Sequence, residues 1–165
     1  MKLSQLLRYQ LYDCSRTKVL LSSEITFLNN YLTLEQNSHP QFNYELLADG
    51  EVNRTLVPPL LFIPFVQHIV KSINERRIST PVSLKIHLKV EENTIIFTCL
   101  CQQVNLLEDK GLERIRQRLN LLYGNRYRLF LGRKRNRKGK NYYEQRILYC
   151  GSRPGIFKIK KTMLI

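Results

Sequence analysis

Cysteine is scarce and scattered in this sequence. The 165 residues contain four cysteines, which are Cys14, Cys99, Cys101 and Cys150. This spacing does not supply the paired framework of a disulfide-stabilised domain. The Cys99-x-Cys101 pair has neither a second cysteine pair nor a histidine at zinc-ligand spacing, so four ligands would not converge on a metal ion. We therefore expect reduced thiols and no metal site.

Long hydrophobic runs are also missing. The longest apolar run, residues 60–66, contains Pro64 and is far shorter than the roughly 20 residues that cross a bilayer. The amino-terminal "MKLSQLLRYQLYD" carries serine, glutamine and arginine inside its apolar run and lacks a small-residue cleavage site, unlike a secretory signal. We expect no transmembrane segment and a cytoplasmic protein.

Acidic residues are few, since 13 of them stand against 27 lysines and arginines, for a formal net charge of +14. Such a charge invites nucleic acid, an acidic protein or an anionic membrane surface. The most basic stretch is "RKRNRKGK", residues 133–140, which contains Arg133, Lys134, Arg135, Arg137, Lys138 and Lys140. Tyr142 and Tyr143 follow this stretch and could stack on bases, so nucleic-acid binding through residues 133–140 is one alternative function.

Two helices are predicted in the first 40 residues. The second should begin with Ser22 as its cap and Glu24 as a first-turn acid, and run to about Gln36. The first has an apolar stripe that is narrow enough to need a partner helix, which indicates part of a helical hairpin. The stripe consists of Leu3, Leu6, Leu7 and Leu11.

Several strands follow, because apolar residues alternate with polar ones in "SLKIHLKVEENTIIFTCLCQQ", which predicts a hairpin with one wet face. Further strands are predicted in "QFNYELLAD", "YRLFLGR" and "YYEQRILYC". Two more helices lie between them. One covers "VPPLLFIPFVQHIVKSI", with Pro58 and Pro59 at its start, and the other covers "GLERIRQRLNLLYG", with Gly124 as its C-cap. This order predicts an α+β fold, a two-layer α/β sandwich.

Three segments resemble one protein family in their order and spacing. The two helices of "LSQLLRYQLY" and "LSSEITFLNNYLTLEQ", then "VPPLLFIPFVQHIVKSI", then "KGLERIRQRLNLLYG" are similar to sensor histidine kinases that pair with LytTR-type response regulators. The resemblance implies a GHKL-type (Bergerat) ATPase-like domain at residues 21–150, with a mixed, mostly antiparallel sheet and helices on one face. It also implies a partial dimerisation helix and linker at residues 1–20, and leaves residues 151–165 as a basic and apolar tail.

The segment "VPPLLFIPFVQHIVKSI" corresponds to the family's N-box helix, which contributes residues to the nucleotide site. In this segment the resemblance extends to the scaffold residues but not to the residues that handle nucleotide. The family pattern is roughly P-P-x-x-x-Q-P-x-V-E-N-A-x-K-H-G, and this chain keeps both of its opening prolines and Lys71. Gln67 stands at the glutamate to which the family gives a base or water-orienting role, His68 at the asparagine that holds magnesium, and Ser72 at the histidine. An imidazole replaces a hard oxygen ligand poorly, and glutamine accepts no proton near neutral pH.

The other nucleotide boxes also differ from the family. The stretch "CQQVNLLED" lacks the family's adenine-reading aspartate and its glycines. In the lid, the family pattern would place glycine at Asp109 and asparagine at Arg114, while Gly111 remains. A phosphate-wrapping backbone needs glycine, and an aspartate repels the anion, so we expect no cofactor and no magnesium-ATP binding. The phosphoacceptor histidine of the family lies upstream of the first helix, so no autophosphorylation site is expected.

These observations favour a catalytically inactive histidine-kinase-like domain, a pseudokinase that acts as a protein interaction module in bacterial two-component signal transduction. The expected partner is a sensor kinase, a response regulator or a second copy of the chain. Besides nucleic-acid binding, a kinase with residual ATP binding is an alternative. The tail suits an edge strand or a partner-binding segment, and equally a frayed terminus.

Overall fold

The structure is a computed structural model that describes residues 2–75, 80–92, 94–102, 110–135, 137–138 and 141–150, the last stretch by its backbone. The helices are α1 (Lys2–Arg8), α2 (Leu21–Ser38), α3 (Ile63–Glu75) and α4 (Lys110–Tyr123), and α1 continues into a π-helical segment (Tyr9–Asp13). The strands are β1 (Val19–Leu20), β2 (Phe42–Asp49), β3 (Leu56–Val57), β4 (Val82–Glu91), β5 (Thr94–Gln102), β6 (Tyr127–Arg135) and β7 (Asn141–Cys150).

Five of the strands form the main sheet, in the order β2-β4-β5-β7-β6. Only the pairing of β2 with β4 is parallel, and the other three pairings are antiparallel. A parallel pair needs a crossover connection, which here contains β3 and α3. The predicted α+β fold with a mixed, mostly antiparallel sheet is therefore confirmed.

The hydrophobic core joins α3 to the middle of this sheet. Phe97 of β5 is fully buried, and its ring centroid lies 4.9 Å from that of Phe62 and 5.8 Å from that of Phe65. The predicted alternation of β4 is confirmed, because Leu84, Ile86 and Leu88 are all buried. These contacts fix the height and direction of α3 above the sheet.

Helix α3 begins later than its sequence predicts. The expected start at Pro58 and Pro59 is wrong, since residues 56–57 pair with β1 as β3 and the helix begins only at Ile63. Between the two elements, Leu60 has a φ of 55°, which interrupts any right-handed helix. The prolines therefore belong to an irregular connection ahead of the helix.

The beginning of α2 differs in a similar way. Ser22 was predicted as the cap, but it lies inside the helix, and the capping position is Leu20, whose side chain makes no cap hydrogen bond. Two of the first helical amides instead donate to carbonyl oxygens of a distant connection, Leu21 to Thr55 at 2.8 Å and Ser22 to Val52 at 3.2 Å. A tertiary contact thus replaces the local cap.

The C-terminal half agrees with its predicted pattern. Leu112, Ile115 and Leu119 form the buried side of α4, and Gly124 ends the helix with a φ of 53°. Strand β6 extends to Arg135, so part of the predicted basic connection is strand. None of the helices in the described part of the chain has the length and apolar character that a membrane span requires.

Candidate functional site

The predicted N-box positions of α3 lie on two different sides of the helix. Gln67 and Lys71, four residues apart, are exposed, whereas His68 and Ser72, also four residues apart, are only 7% and 8% exposed. Residues four apart share a helical face, so each pair forms its own stripe. Gln67 therefore faces solvent, whereas His68 points into the core.

The buried pair is tied to the helix backbone. Ser72 donates its hydroxyl hydrogen to the carbonyl oxygen of His68 at 2.9 Å, one helical turn earlier. A serine that makes this bond satisfies its hydroxyl inside the helix itself. Ser72 therefore needs no ligand to satisfy its hydroxyl in this buried position.

The exposed pair faces water. The Lys71 Nζ lies 3.6 Å from a carboxylate oxygen of Glu75, and the two side chains are 75% and 64% exposed. An ion pair in such surroundings contributes little to stability. Lys71 is accordingly a surface cation that could bind an anion without first losing a buried partner.

The lid positions are partly described. Gly111 is half-buried near the start of α4, Arg114 is exposed on the same helix, and Asp109 lies outside the described residues. Helix α4 lies beside α3. How the lid positions lie relative to the predicted N-box positions stays a prediction, because residues 103–109 lie outside the described residues.

A cleft that is described lies at another place in the fold. It measures about 300 Å³ and opens between the C-terminal ends of α2 and α3 and the beginnings of β2 and β4. None of the predicted nucleotide-site positions lines it. Its walls are formed by Ser38, His39, Pro40, Gln41, Phe42, Ile73, Asn74, Thr80 and Val82.

The Glu24 side chain holds the connection before α3. The sequence pattern predicted it only as a first-turn acid of α2. Glu24 has no exposed surface, and it accepts hydrogen bonds from the backbone N–H groups of Leu60 at 2.6 Å and Leu61 at 3.1 Å. The hydroxyl of Tyr9 donates to the same carboxylate. Its spacing from Leu21 and Leu28 places Glu24 on the apolar side of α2, and that spacing could have signalled its burial.

An arginine holds the same connection from α4. Arg118 donates one guanidinium N–H to the carbonyl oxygen of Leu60 at 2.6 Å and another to that of Pro59 at 2.8 Å. The forked guanidinium suits two neighbouring acceptors. Glu24 and Arg118 thus bind the donor and acceptor groups of one short stretch of backbone from two helices, and the sequence interpretation missed this role of Arg118.

Burial dominates the electrostatics of this cluster. Desolvation raises the pKa of Glu24 above its ordinary value, while the hydrogen bonds from Tyr9, Leu60 and Leu61 act in the opposite direction. Burial, together with the hydrogen bond to Glu24, also raises the pKa of the Tyr9 phenol. Tyr9 consequently stays protonated and acts as a hydrogen-bond donor throughout the physiological range.

The predicted leucine stripe of α1 is divided by the fold. Leu6 is 8% exposed and belongs to the core, together with Tyr9. Leu3, Leu7 and Leu11 lie four residues apart along the chain and are 57%, 51% and 71% exposed. These three leucines form an apolar ridge on the outside of the N-terminal helix, where a partner could contact them.

The basic segment lies partly on strand β6. Arg133 and Arg135 are exposed on the strand, and Arg137 and Lys138 are exposed beyond it. The side chain of Lys134, and Lys140 altogether, lie outside the described residues. A row of cations on an edge strand supplies charge but no element that reads a nucleic-acid groove. Nucleic-acid binding therefore stays an untested prediction.

The described cysteines have the properties of core side chains. Cys99 and Cys101 are fully buried, Cys14 is half-buried, and all three are free thiols. Burial raises the pKa of Cys101 to about 12, which leaves it un-ionised near neutral pH. Within the described ranges, no group of three or more histidine, cysteine, aspartate or glutamate residues could hold a metal ion.

Comparison with known proteins connects this geometry to one class of proteins. The family model described as Histidine kinase matches residues 1–41. A comparison with curated proteins found no match.

Three solved structures illustrate the likeness of the fold. The Acinetobacter baumannii histidine kinase AdeS superposes with a TM-score of 0.57 at 12% identity, over 92% of this chain and 76% of that one. The nucleotide-free catalytic domain of histidine kinase ThkA superposes with a TM-score of 0.54 at 10% identity, over 79% of this chain and 93% of that one. The mycobacterial sensor histidine kinase MprB superposes with a TM-score of 0.50 at 11% identity, over 81% of this chain and 97% of that one. The chain therefore has the fold of a histidine-kinase catalytic domain, joined to an N-terminal segment that matches the histidine kinase family model.

Proposed function

We propose that this chain is a histidine-kinase-like pseudokinase, which serves two-component signal transduction as a protein interaction module and does not transfer phosphate. The observation that carries the proposal is His68. It occupies the position at which the resembled family has its magnesium-holding asparagine, and its side chain is 7% exposed within α3. A buried imidazole offers nitrogen where magnesium prefers oxygen, in a site that must also admit several waters.

Two further substituted positions support the same proposal. Gln67, at the position of the family's glutamate, is exposed and is not ionisable. Arg114 stands on α4 where the family has asparagine. Phosphoryl transfer depends on the metal, the base and the lid acting together, so the loss of several of these parts removes the chemistry and leaves the scaffold.

The nucleotide part of the proposal is tested by thermal unfolding with millimolar magnesium-ATP. A ligand at 100 times its dissociation constant adds about 2.7 kcal/mol of stability. For a domain of this length that free energy corresponds to a rise in midpoint of roughly 5–11 °C. We expect no magnesium-dependent rise. ATP with a chelator is the matched control, because it separates anion attraction by Lys71 and Arg114 from recognition of the metal complex.

The double variant Gln67→Glu/His68→Asn extends this test. It restores the family's two N-box residues, but the lid and the adenine-reading positions keep their present residues. We expect this variant to show no magnesium-ATP shift either. A shift in the unmodified chain, confirmed by calorimetry, would instead support the alternative of a kinase with residual ATP binding.

The interaction part of the proposal rests on the exposed ridge of Leu3, Leu7 and Leu11. The expected partner is a second copy of the chain, a sensor kinase or a response regulator. Light scattering over a range of concentrations measures self-association, and binding to candidate kinases and regulators is measured in parallel. Leu7→Glu should weaken association, whereas Leu121→Glu, which changes an 89% exposed leucine on α4, should not.

Two results would count against this part of the proposal. One is a chain that stays monomeric at high concentration and binds none of the candidate partners. The other is tight, sequence-selective binding of DNA or RNA that persists near physiological salt, because such binding would favour a nucleic-acid function of the basic segment.

A further inference from the structure

The connection between β3 and α3 holds a strained residue. Leu60 has a φ of 55°, a conformation that residues other than glycine rarely adopt. Such a conformation persists only where the surrounding structure enforces it, and it occurs preferentially at switch regions. The surroundings of Leu60 are therefore informative.

Leu60 is held on both sides of its backbone. Its N–H donates to the Glu24 carboxylate at 2.6 Å, and its carbonyl oxygen accepts from the Arg118 guanidinium at 2.6 Å. The Arg118 guanidinium is charged, and a hydrogen bond from a charged donor is stronger than a neutral one. Helices α2 and α4 consequently fix the same residue, and helix α3 begins three positions further on at Ile63.

The N-terminal segment reaches the same point through Tyr9. The Tyr9 hydroxyl donates to the Glu24 oxygen that also accepts from Leu60. The Tyr9 ring stacks on Phe27 of α2 with centroids 4.7 Å apart. Tyr9 is also the first residue of the π-helical segment, a rare conformation that frequently occurs at functional sites. The position of the N-terminal helix is thus linked to Leu60 through one shared oxygen atom.

We propose that Tyr9, Glu24 and Arg118 form a latch around Leu60 that couples the position of the N-terminal helical segment to the beginning of α3. A shift of the N-terminal segment that withdraws the Tyr9 hydroxyl weakens the hold on Leu60. The backbone strain at Leu60 then favours release, and the first turn of α3, ahead of His68 and Ser72, loosens. This coupling does not depend on whether the chain binds nucleotide or transfers phosphate.

Hydrogen exchange measured by mass spectrometry tests the latch in the full chain. Tyr9→Phe removes the hydroxyl but keeps the ring stack. We expect amide exchange within residues 60–66 to increase about tenfold, as the loss of one buried hydrogen bond implies. The matched control is Tyr44→Phe, which also removes a hydroxyl bound to α2, at 2.9 Å from Asn29 Oδ1. It should leave exchange in residues 60–66 unchanged.

A double-mutant cycle adds the contribution of α4. Arg118→Lys removes the forked contact and should also increase exchange in residues 60–66. Because both variants release the same residue, the double variant with Tyr9→Phe should show less than the product of the two single fold-changes. Combined with Tyr44→Phe, the effect of Arg118→Lys should be unaltered.

Three outcomes would overturn the proposal. Exchange in Tyr9→Phe could increase only within residues 2–13, which would make the hydrogen bond a local anchor. It could increase equally throughout the chain, which would show simple global destabilisation. The fold-changes of Tyr9→Phe and Arg118→Lys could multiply, which would show two independent contacts.

Discussion

Replacing Phe97 by alanine tests whether α3 is held on the sheet as the structure shows. Phe97 is fully buried on β5, where its ring contacts those of Phe62 and Phe65. Truncating a buried phenylalanine costs about 3–5 kcal/mol. The two aromatic contacts, each adding about 0.5–1.5 kcal/mol beyond buried area, place Phe97→Ala in the upper half of that range. The expected loss is therefore about 4–5 kcal/mol.

Urea denaturation measures this loss through the midpoint and slope of the transition. A loss of this size consumes much of the roughly 5–15 kcal/mol that stabilises a typical domain. Phe97→Leu, which keeps an apolar side chain of more similar volume, serves as a graded variant if the alanine variant does not fold. In thermal unfolding, the alanine variant should melt roughly 8–20 °C lower, given about 2–4 °C per kcal/mol for a chain of this length.

Phe130→Ala is the matched control on the edge strand β6. Phe130 is 50% exposed, and its ring lies across Gly132, where an added Cβ would come within 2.8 Å of the ring. Its loss should cost less than about 1 kcal/mol. Equal losses for the two phenylalanines, at an unchanged urea slope, would refute the placement of Phe97 in the core beneath α3.

Two further predictions concern backbone strain and pH. Gly50→Ala should destabilise the fold more than Gly124→Ala. Both glycines have positive φ, which costs alanine about 1–2 kcal/mol, but only at Gly50 would the new Cβ come within 2.3 Å of the Val90 carbonyl oxygen. Similar urea midpoints for the two variants would contradict this prediction. Burial raises the pKa of Glu24 in the folded state. The contribution of Glu24 to folding stability is therefore fully present below its unfolded pKa of about 4.3, and it is lost as pH rises through the folded pKa. The stability difference between the unmodified chain and Glu24→Gln, measured in urea from pH 3.5 to 8, should thus fall with increasing pH, and a rise would mean that the hydrogen bonds outweigh desolvation.

Local patterns predicted most of the elements correctly. The alternation of Leu84, Ile86 and Leu88 identified β4, because successive side chains of a strand point to opposite faces. The spacing of Ile115 and Leu119 identified the buried side of α4, because residues four positions apart share one face of a helix. Each of these signals is contained in about ten consecutive residues and needs no distant partner.

The errors fell where a distant segment competes with the local pattern. Pro58 and Pro59 are acceptable at a helix start, yet residues 56–57 pair with residues 19–20, and Leu60 is held in a conformation that no helix contains. Ser22 is a good capping residue, yet the first amides of α2 donate to the backbone carbonyl oxygens of Val52 and Thr55. In both cases tertiary hydrogen bonds outweigh the local preference.

The candidate site shows the same division. The family resemblance led us to predict that Gln67 and His68 occupy altered N-box positions, but that prediction assigned no burial to either residue. The side that each residue presents follows from how α3 lies on the sheet. Only the folded chain places His68 inside and Gln67 outside.

By itself, the sequence determined the alternating strands, the amphipathic helices and the positive charge, because each is a property of composition or short-range spacing. The tertiary structure alone decided that Glu24 and Arg118 hold Leu60. The Glu24 contacts join residues 15, 36 and 37 positions apart, and the Arg118 contacts join residues 58 and 59 positions apart. No local pattern encodes such contacts, because a buried charge finds its partners only after the helices have packed.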